Sequence, residues 1–392
     1  MNILTLDIEC TTSNKGNPFD LTNKMVVIGW KWLHKETHDI YTDAPHYVQE
    51  LQWVINKADI LVGFNIKFDL HWLKRIGIDI SGIRVWDCQV AEFILENQLN
   101  PYNSLNDAAA KYGLGQKIDV IKEEFWDKGV DTNAIPRVLL SSYLTQDLTL
   151  TEEVFLKQRS LFENSEYTKY PLFKLHCMDL LVLQEMEWNG IKFDTKEATK
   201  YAATLDQELK DIYAEMVSMV GNVPFNLSSN DHVSALLYGG TITLVDRIPI
   251  GVYKTGLKEG QTRYKLLDKV YTLPRLVEPL KGTETSKSGK VSEEGVVTQN
   301  TWKVSEDILR SLKLNKEAKK IVDLLGRYSK IEKLMGTYLL GYTKLIEKMN
   351  WEEDTLHGTL NQCVAVTGRL SSSKPNLQNA DPKTKTFMRT RY

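Results

Sequence analysis

Residues 1–10 read MNILTLDIEC, an apolar run interrupted by Asp7 and Glu9. Its density of apolar residues with little helical spacing predicts a strand over residues 1–8. Side chains two apart on a strand leave the same face, so Asp7 and Glu9 project together. Uncompensated carboxylates on a buried strand are costly, and a divalent cation is the usual way to offset them.

Working outward, the spacing predicts further strands over residues 25–33 and 60–64, with a helical pattern after each. This alternation is an α/β signature. Asn65 and Asp69 fall where the strand ILVGFN turns into the helical run KFDLHWLKRI, at the kind of strand end where α/β sites form. Pro136 opens a run in which Leu140, Leu144 and Leu148 recur every fourth residue, so a long helix is expected to about residue 162. Tyr143 and Asp147 lie four apart on it and therefore share a face. Each pair alone is weak: D-x-E recurs at Asp206 and Glu208, N-x-x-x-D at Asn103 and Asp107, and Y-x-x-x-D at Tyr264 and Asp268. What separates the first set is its order and the apolar strand that carries it.

In that order, TLDIEC (5–10), GFNIKFDL (63–70) and SYLTQDL (142–148) resemble the three motifs of the DEDD 3′→5′ exonucleases, in the subclass with tyrosine in the third motif. The resemblance implies an RNase H-like domain with a mixed central sheet and a catalytic set of Asp7, Glu9, Asp69, Tyr143 and Asp147. It implies two divalent cations, Mg²⁺ or Mn²⁺, with Asp7 bridging them, Glu9 and Asp147 completing the one that activates water, and Asp69 holding the second through water. Tyr143 would orient the attacking water; a phenol with a pKa of about 10 is a hydrogen-bonding group at neutral pH, not a base. Asn65 matches the asparagine of the second motif. VWDCQVAEFIL (85–95), with Asp87, resembles a segment that follows it and is expected to be structural.

The second half carries a resemblance of its own. NGIKFD (189–194), FNLSSNDHVSALLY (225–238), GRYSKIEKLMGTYL (326–339) and LNQCVAVTGRLSSSKPNLQN (360–379) are similar to the run from exonuclease to palm in family A DNA polymerases of the polymerase I, Klenow type. The resemblance implies a mainly helical thumb that grips a DNA primer-template, with Arg327, Lys330, Lys333 and Thr337 facing phosphates. It places Arg369, Ser371, Ser372, Asn376, Gln378 and Asn379 at the minor groove. Palm aspartates and fingers should follow PNLQN, and the sequence stops at Tyr392 first. Nucleotide addition is therefore expected to need a second chain with palm and fingers, or the rest of a longer polypeptide. With Asp7 so near the start, no 5′ nuclease domain is expected ahead of it, as in short phage-type members of the family. Nothing between Gly336 and His357 implies a thioredoxin-like processivity partner.

The expected organisation is an exonuclease domain over 1–165, a helical connection over 166–238, a small β insertion with a flexible loop over 239–300, thumb helices over 301–356, and the start of the palm over 357–392. Within the insertion, TITLVDRIPI, GQTRYKLL and KVYTLP read as short strands between Gly-rich turns, and KGTETSKSGKVSEEGVVT (281–298) is too polar to pack a core. Charge follows this division. The chain has 392 residues with 49 Lys and Arg against 51 Asp and Glu, net −2. Residues 1–160 carry 16 basic and 22 acidic residues, and the remainder 33 and 29, so an acidic half is followed by a basic one. With 42% hydrophobic residues, disorder and collagen-like structure are excluded. Cys10, Cys88, Cys177 and Cys363 form no C-x-x-C pair, so neither a disulfide framework nor a thiolate zinc site is indicated. No signal peptide or membrane span is apparent, and a cytoplasmic location is expected.

The function these readings favour is a proofreading exonuclease joined to a DNA-gripping region. A free-standing exoribonuclease similar to RNase D, and a non-catalytic DNA-binding half of a split polymerase, are the alternatives.

Overall fold

Strand β1 (Ile3–Cys10) is the strand expected from the first ten residues, of the same length but shifted by two residues towards the C-terminus. Its apolar side chains are almost fully buried, and it lies at the centre of a five-stranded sheet ordered β3-β2-β1-β4-β5. β2 (Met25–Trp32) pairs with it antiparallel, setting Asp7 opposite Gly29. Beyond β2 lies β3 (Thr37–Tyr41), a strand the sequence reading missed; its THDIY carries no clean alternation and its outer residues are exposed. After α1 (Tyr47–Ile55), β4 (Ile60–Gly63) joins β1 in parallel. α2 (Lys67–Arg75) then leads to β5 (Val85–Asp87), parallel to β4. The computed structural model describes residues 1–115, 120–164, 169–256, 259–285, 301–352 and 354–390.

α3 (Cys88–Leu95), α4 (Leu105–Lys111) and α5 (Val120–Glu124) precede the long α6 (Arg137–Glu163), which follows Pro136 as expected. α6 buries Leu140, Leu144 and Leu148 against the sheet. A Cβ on Gly29 would lie 2.7 Å from Leu144 Cδ2 and 2.8 Å from Leu148 Cδ1, so only glycine at this point of β2 lets the helix come this close. The Lys31 ammonium pairs with Glu152 at 2.7 Å, and the His34 backbone N–H donates to the same carboxylate, fixing the next turns of α6 over the same strand. At the far end, Trp86 meets Phe155 and Phe162 edge to face and Phe173 at a tilt, with centroids 4.5–5.7 Å apart.

The chain divides into two units, Met1–Ala198 with Tyr338–Tyr392, and Thr199–Thr337. In the first, α7 (Lys169–Asn189) ends at the Asn189-Gly190 turn, and β6 (Ile191–Phe193) follows. A Cβ on Gly190 (φ +60°) would meet Thr355 Cγ2 at 2.7 Å and the Leu356 carbonyl at 2.8 Å.

Helix α8 (Thr195–Met219) leads into the second unit, where α9 (Asn230–Tyr238) follows. The insertion is one long hairpin, β7 (Gly240–Val252) with β8 (Thr262–Leu273), in place of the several short strands expected. β8 joins most of GQTRYKLL and KVYTLP into one strand across Asp268, and β7 carries a bulge at Pro249–Gly251; every strand of a two-stranded ribbon is an edge, where Pro and bulges are tolerated. The polar loop expected over 281–298 lies largely outside the described residues. α10 (Glu306–Ser311) and α11 (Lys316–Lys333) are separated by a short loop.

In the first unit, α12 (Leu340–Lys348) precedes β9 (Thr355–Leu356), β10 (Thr359–Asn361), β11 (Ser371–Ser373) and β12 (Met388–Arg389). β12, β6 and β9 form a small sheet, and β10 pairs with β11. No described helix is long and apolar enough to cross a membrane.

Candidate active site

Asp7 and Glu9 come from β1, and Asp147 from the middle of α6. One carboxylate oxygen from each lies within 4.8 Å of the others. Two local features bring this about. The alternation of β1 sends Asp7 and Glu9 to one face. Gly29, paired with Asp7 across the ladder, lets α6 settle between Leu144 and Leu148, and so carries Asp147 down to that face. Glu9 and Asp147 are 9% and 7% exposed, so three acids converge where little water can screen them.

Asp69 sits in the first turn of α2 and is 3% exposed. Burial, and then the charge of Asp7, raise its pKa well above the usual carboxylate range; Asp87 and Glu9 add to the effect. Asp69 is therefore in electrostatic reach of Asp7 and Glu9, the two strand acids that cluster with Asp147. In the absence of a cation such a cluster repels itself, and hard oxygen donors packed this densely suit Mg²⁺ or Mn²⁺. The donor set fits a divalent ion held by Asp7, Glu9 and Asp147.

Tyr143, one turn before Asp147 on α6, is 7% exposed. Its ring meets Trp126 edge to face with centroids 5.7 Å apart, and the side chain packs with Val27, Ile121 and Ile135. Asn65 occupies the left-handed region (φ +59°) in the turn after β4. Asp87 holds that turn in place: its carboxylate accepts from the N–H groups of Asn65 (3.2 Å) and Ile66 (2.9 Å) and also caps α3 through Gln89 (2.8 Å) and Val90 (3.1 Å). The structural role expected of Asp87 is thus a concrete one, tying the start of α2 to the end of β5.

The residues assigned to DNA contact are more varied in their surroundings. Arg327 on α11 donates through Nε and Nη2 to Glu208 Oε1 at 2.9 and 2.6 Å. Lys330 and Lys333 lie in the last turn of α11, and Thr337 follows in the π-type turn Leu334–Leu339. Arg369 is exposed, and Ser371 sits in β11 opposite Asn361. Ser372 is 6% exposed and shapes the following turn: its hydroxyl donates to the Pro375 carbonyl at 3.2 Å and accepts from the Leu377 N–H at 3.1 Å. The Asn376 side-chain oxygen accepts from the N–H groups of Gln378 and Asn379, and the Asn379 carbonyl accepts from the Tyr338 hydroxyl at 2.8 Å. TGRLSS and PNLQN therefore build a local scaffold, on which Arg369 and Gln378 remain exposed.

A carboxylate that the sequence did not single out is Glu187, near the end of α7. It is 5% exposed and accepts from Lys67 Nζ at 2.6 Å and from the Leu360 N–H at 2.6 Å, while its other oxygen meets His71 Nε2 at 2.8 Å. Its helix also carries Asp179 and Glu185, so no signal in the sequence set Glu187 apart. The four thiols have no such standing: burial pushes each up, Cys10 to about 12, which removes thiolate chemistry at neutral pH.

Residues 275–392 match the family described as DNA polymerase family A. Over 329 residues the chain is 26% identical to DNA polymerase I of Bacillus subtilis (strain 168), covering 84% of this chain and 30% of that protein. It is 24% identical over 340 residues to DNA polymerase I of Geobacillus stearothermophilus, covering 84% of this chain and 31% of the relative. The chain thus spans about a third of the length of these curated relatives. Among solved structures, the POL domain of Pol1 from M. smegmatis, in complex with DNA primer-template and dNTP, matches 98% of this chain and 53% of its own. The TM-score is 0.65 at 15% identity, which establishes a shared fold.

Proposed function

The chain is a relative of the family A DNA polymerases, and we propose that its first unit is a 3′→5′ exonuclease that removes 3′-terminal nucleotides from DNA. The observation that carries this reading is the convergence of Asp7, Glu9 and Asp147 within 4.8 Å, from elements that also bear the motif residues Asp69 and Tyr143. The mixed sheet with β1 at its centre accords with an RNase H-like domain. Two divalent cations, when bound, would supply an activated hydroxide and stabilise the charge that develops on the phosphate and the leaving 3′ oxygen.

The residues divide that work. Asp7, on the central strand, would hold the cations together with Glu9, Asp147 and Asp69. Tyr143 would place the attacking water, its ring held by Trp126 so that the hydroxyl has little freedom. Asn65, fixed by Asp87, would present its side chain to the 3′ end. The acidic first half suits a domain that meets nucleic acid through cations, whereas the basic remainder suits phosphate contacts by Lys330, Lys333 and Arg369.

The substrate class is tested by incubating 5′-labelled single-stranded DNA and RNA of one sequence with the chain and Mg²⁺. Stepwise shortening of DNA, faster than of RNA, supports the proposal. RNA shortened as fast or faster would move the assignment to an exoribonuclease. Binding of primer-template with no shortening would leave only a DNA-holding role.

A further inference from the structure

We infer that Glu187 is a positioning residue for the exonuclease site, and that through it the C-terminal strand β10 sets the seat of Asp69. This inference rests on the proposed exonuclease reading and concerns a residue outside its carboxylate set. On α2, Lys67 and His71 are one turn apart and share a face, whereas Asp69 lies about 200° around the axis from Lys67, on the opposite face. Glu187 of α7 grips the rear face at both points, Lys67 through one oxygen and His71 through the other. With the two contacts four residues apart, α2 can neither rotate nor slide without breaking one. The front face then presents Asp69 towards Asp7 at a fixed height.

The same carboxylate is tied to the C-terminal segment. The Leu360 N–H donates to the oxygen that holds Lys67, and Lys67 Nζ donates to the Leu360 carbonyl, so a single backbone unit of β10 closes a ring with the buried pair. His357, just before β10, meets the Glu187 carbonyl at 2.9 Å through Nδ1 and stacks on Phe19 with centroids 4.1 Å apart. Gln184, one turn earlier on α7, reaches His71 Nδ1 at 3.3 Å. Five groups from three distant parts of the chain therefore converge behind one helix, and no element of the proposed chemistry accounts for them. A displacement of β10, whose partner β11 follows the exposed residues 367–370, would pass through Glu187 to α2.

The test compares Mn²⁺ binding, read by electron paramagnetic resonance without substrate, with the Mg²⁺ dependence of nucleotide release. Three proteins are compared: the parent, Glu187→Gln, and the double variant Lys67→Met/Glu187→Gln, which removes both buried charges together. Both variants are expected to bind Mn²⁺ about tenfold more weakly and to need about tenfold more Mg²⁺ for half-maximal rate, while the rate at saturating Mg²⁺ stays within about threefold of the parent. Unchanged metal dependence with a lowered melting temperature would overturn the inference, since a residue that only packs costs stability and not metal affinity. Failure of both variants to fold would overturn it equally. If the parent itself binds no Mn²⁺ at Asp7 and Glu9, the exonuclease reading falls and takes this inference with it; if the parent binds and the variants match it, only the inference falls.

Discussion

Gly29 stands opposite Asp7 in the β1–β2 ladder, and the absence of its side chain is what allows α6 to lie with Leu144 and Leu148 against the strand. The metal-holding geometry thus depends on a residue with no chemistry of its own. Gly29→Ala would drive a methyl into leucine atoms less than 3 Å away, an overpacking that costs about 1–3 kcal/mol and lifts α6. We expect a lower melting temperature together with weakened Mg²⁺ dependence of nucleotide release. A destabilised variant with unchanged metal dependence would show that α6 can move without carrying Asp147 away.

A cation that binds the folded carboxylates stabilises them by mass action. At a concentration a hundredfold above its dissociation constant the gain is about 2.7 kcal/mol. The melting temperature of the first unit should therefore rise with Mn²⁺ in the parent and stay flat in Asp7→Asn/Asp147→Asn. An equal rise in both would place the binding elsewhere.

Tyr143→Phe keeps the ring against Trp126 and removes only the hydroxyl. The fold and metal affinity should be unchanged, and the rate should fall by about tenfold to a hundredfold through loss of orientation. Parental activity in this variant would remove Tyr143 from the site.

Asp20 supplies a pH-dependent contribution away from the site. Burial raises its pKa, but hydrogen bonds from Thr22, Asn14 and Asn350 outweigh that and hold the carboxyl below its usual value. A depressed pKa stabilises the fold above the unfolded value of about 4, and the benefit is lost as pH falls through the folded value. Asp20→Ala should cost about 3 kcal/mol at pH 7, measured by urea unfolding, with the deficit shrinking below about pH 4. A deficit that does not change with pH would mean that the charge is not what these donors hold.

Much of this was legible in the sequence because it rests on local periodicity. Asp7 and Glu9 share a face because strands alternate, and Tyr143 and Asp147 because helices repeat near four. What was hidden depends on contacts between distant segments. β3 forms through an edge pairing that THDIY does not announce, and GQTRYKLL and KVYTLP, read as separate strands, run on as one because β8 keeps its ladder with β7 across Asp268. Glu187 could not be read, since its partners Lys67, His71 and Leu360 meet it only after α2, α7 and β10 have packed. Ser372 and Asn376 were legible as hydrogen-bonding residues, but not as ones whose bonds close a local turn.

The central claim is that Asp7, Glu9, Asp69 and Asp147 form a metal-dependent exonuclease site. It is tested most directly by following a 5′-labelled primer with a mismatched 3′ end, annealed to template, in Mg²⁺ without nucleotides, with the parent chain and with Asp7→Ala/Glu9→Ala. Stepwise 3′ shortening by the parent is expected, abolished by chelation and reduced at least about a thousandfold in the variant. Shortening by the variant at the parental rate would contradict it.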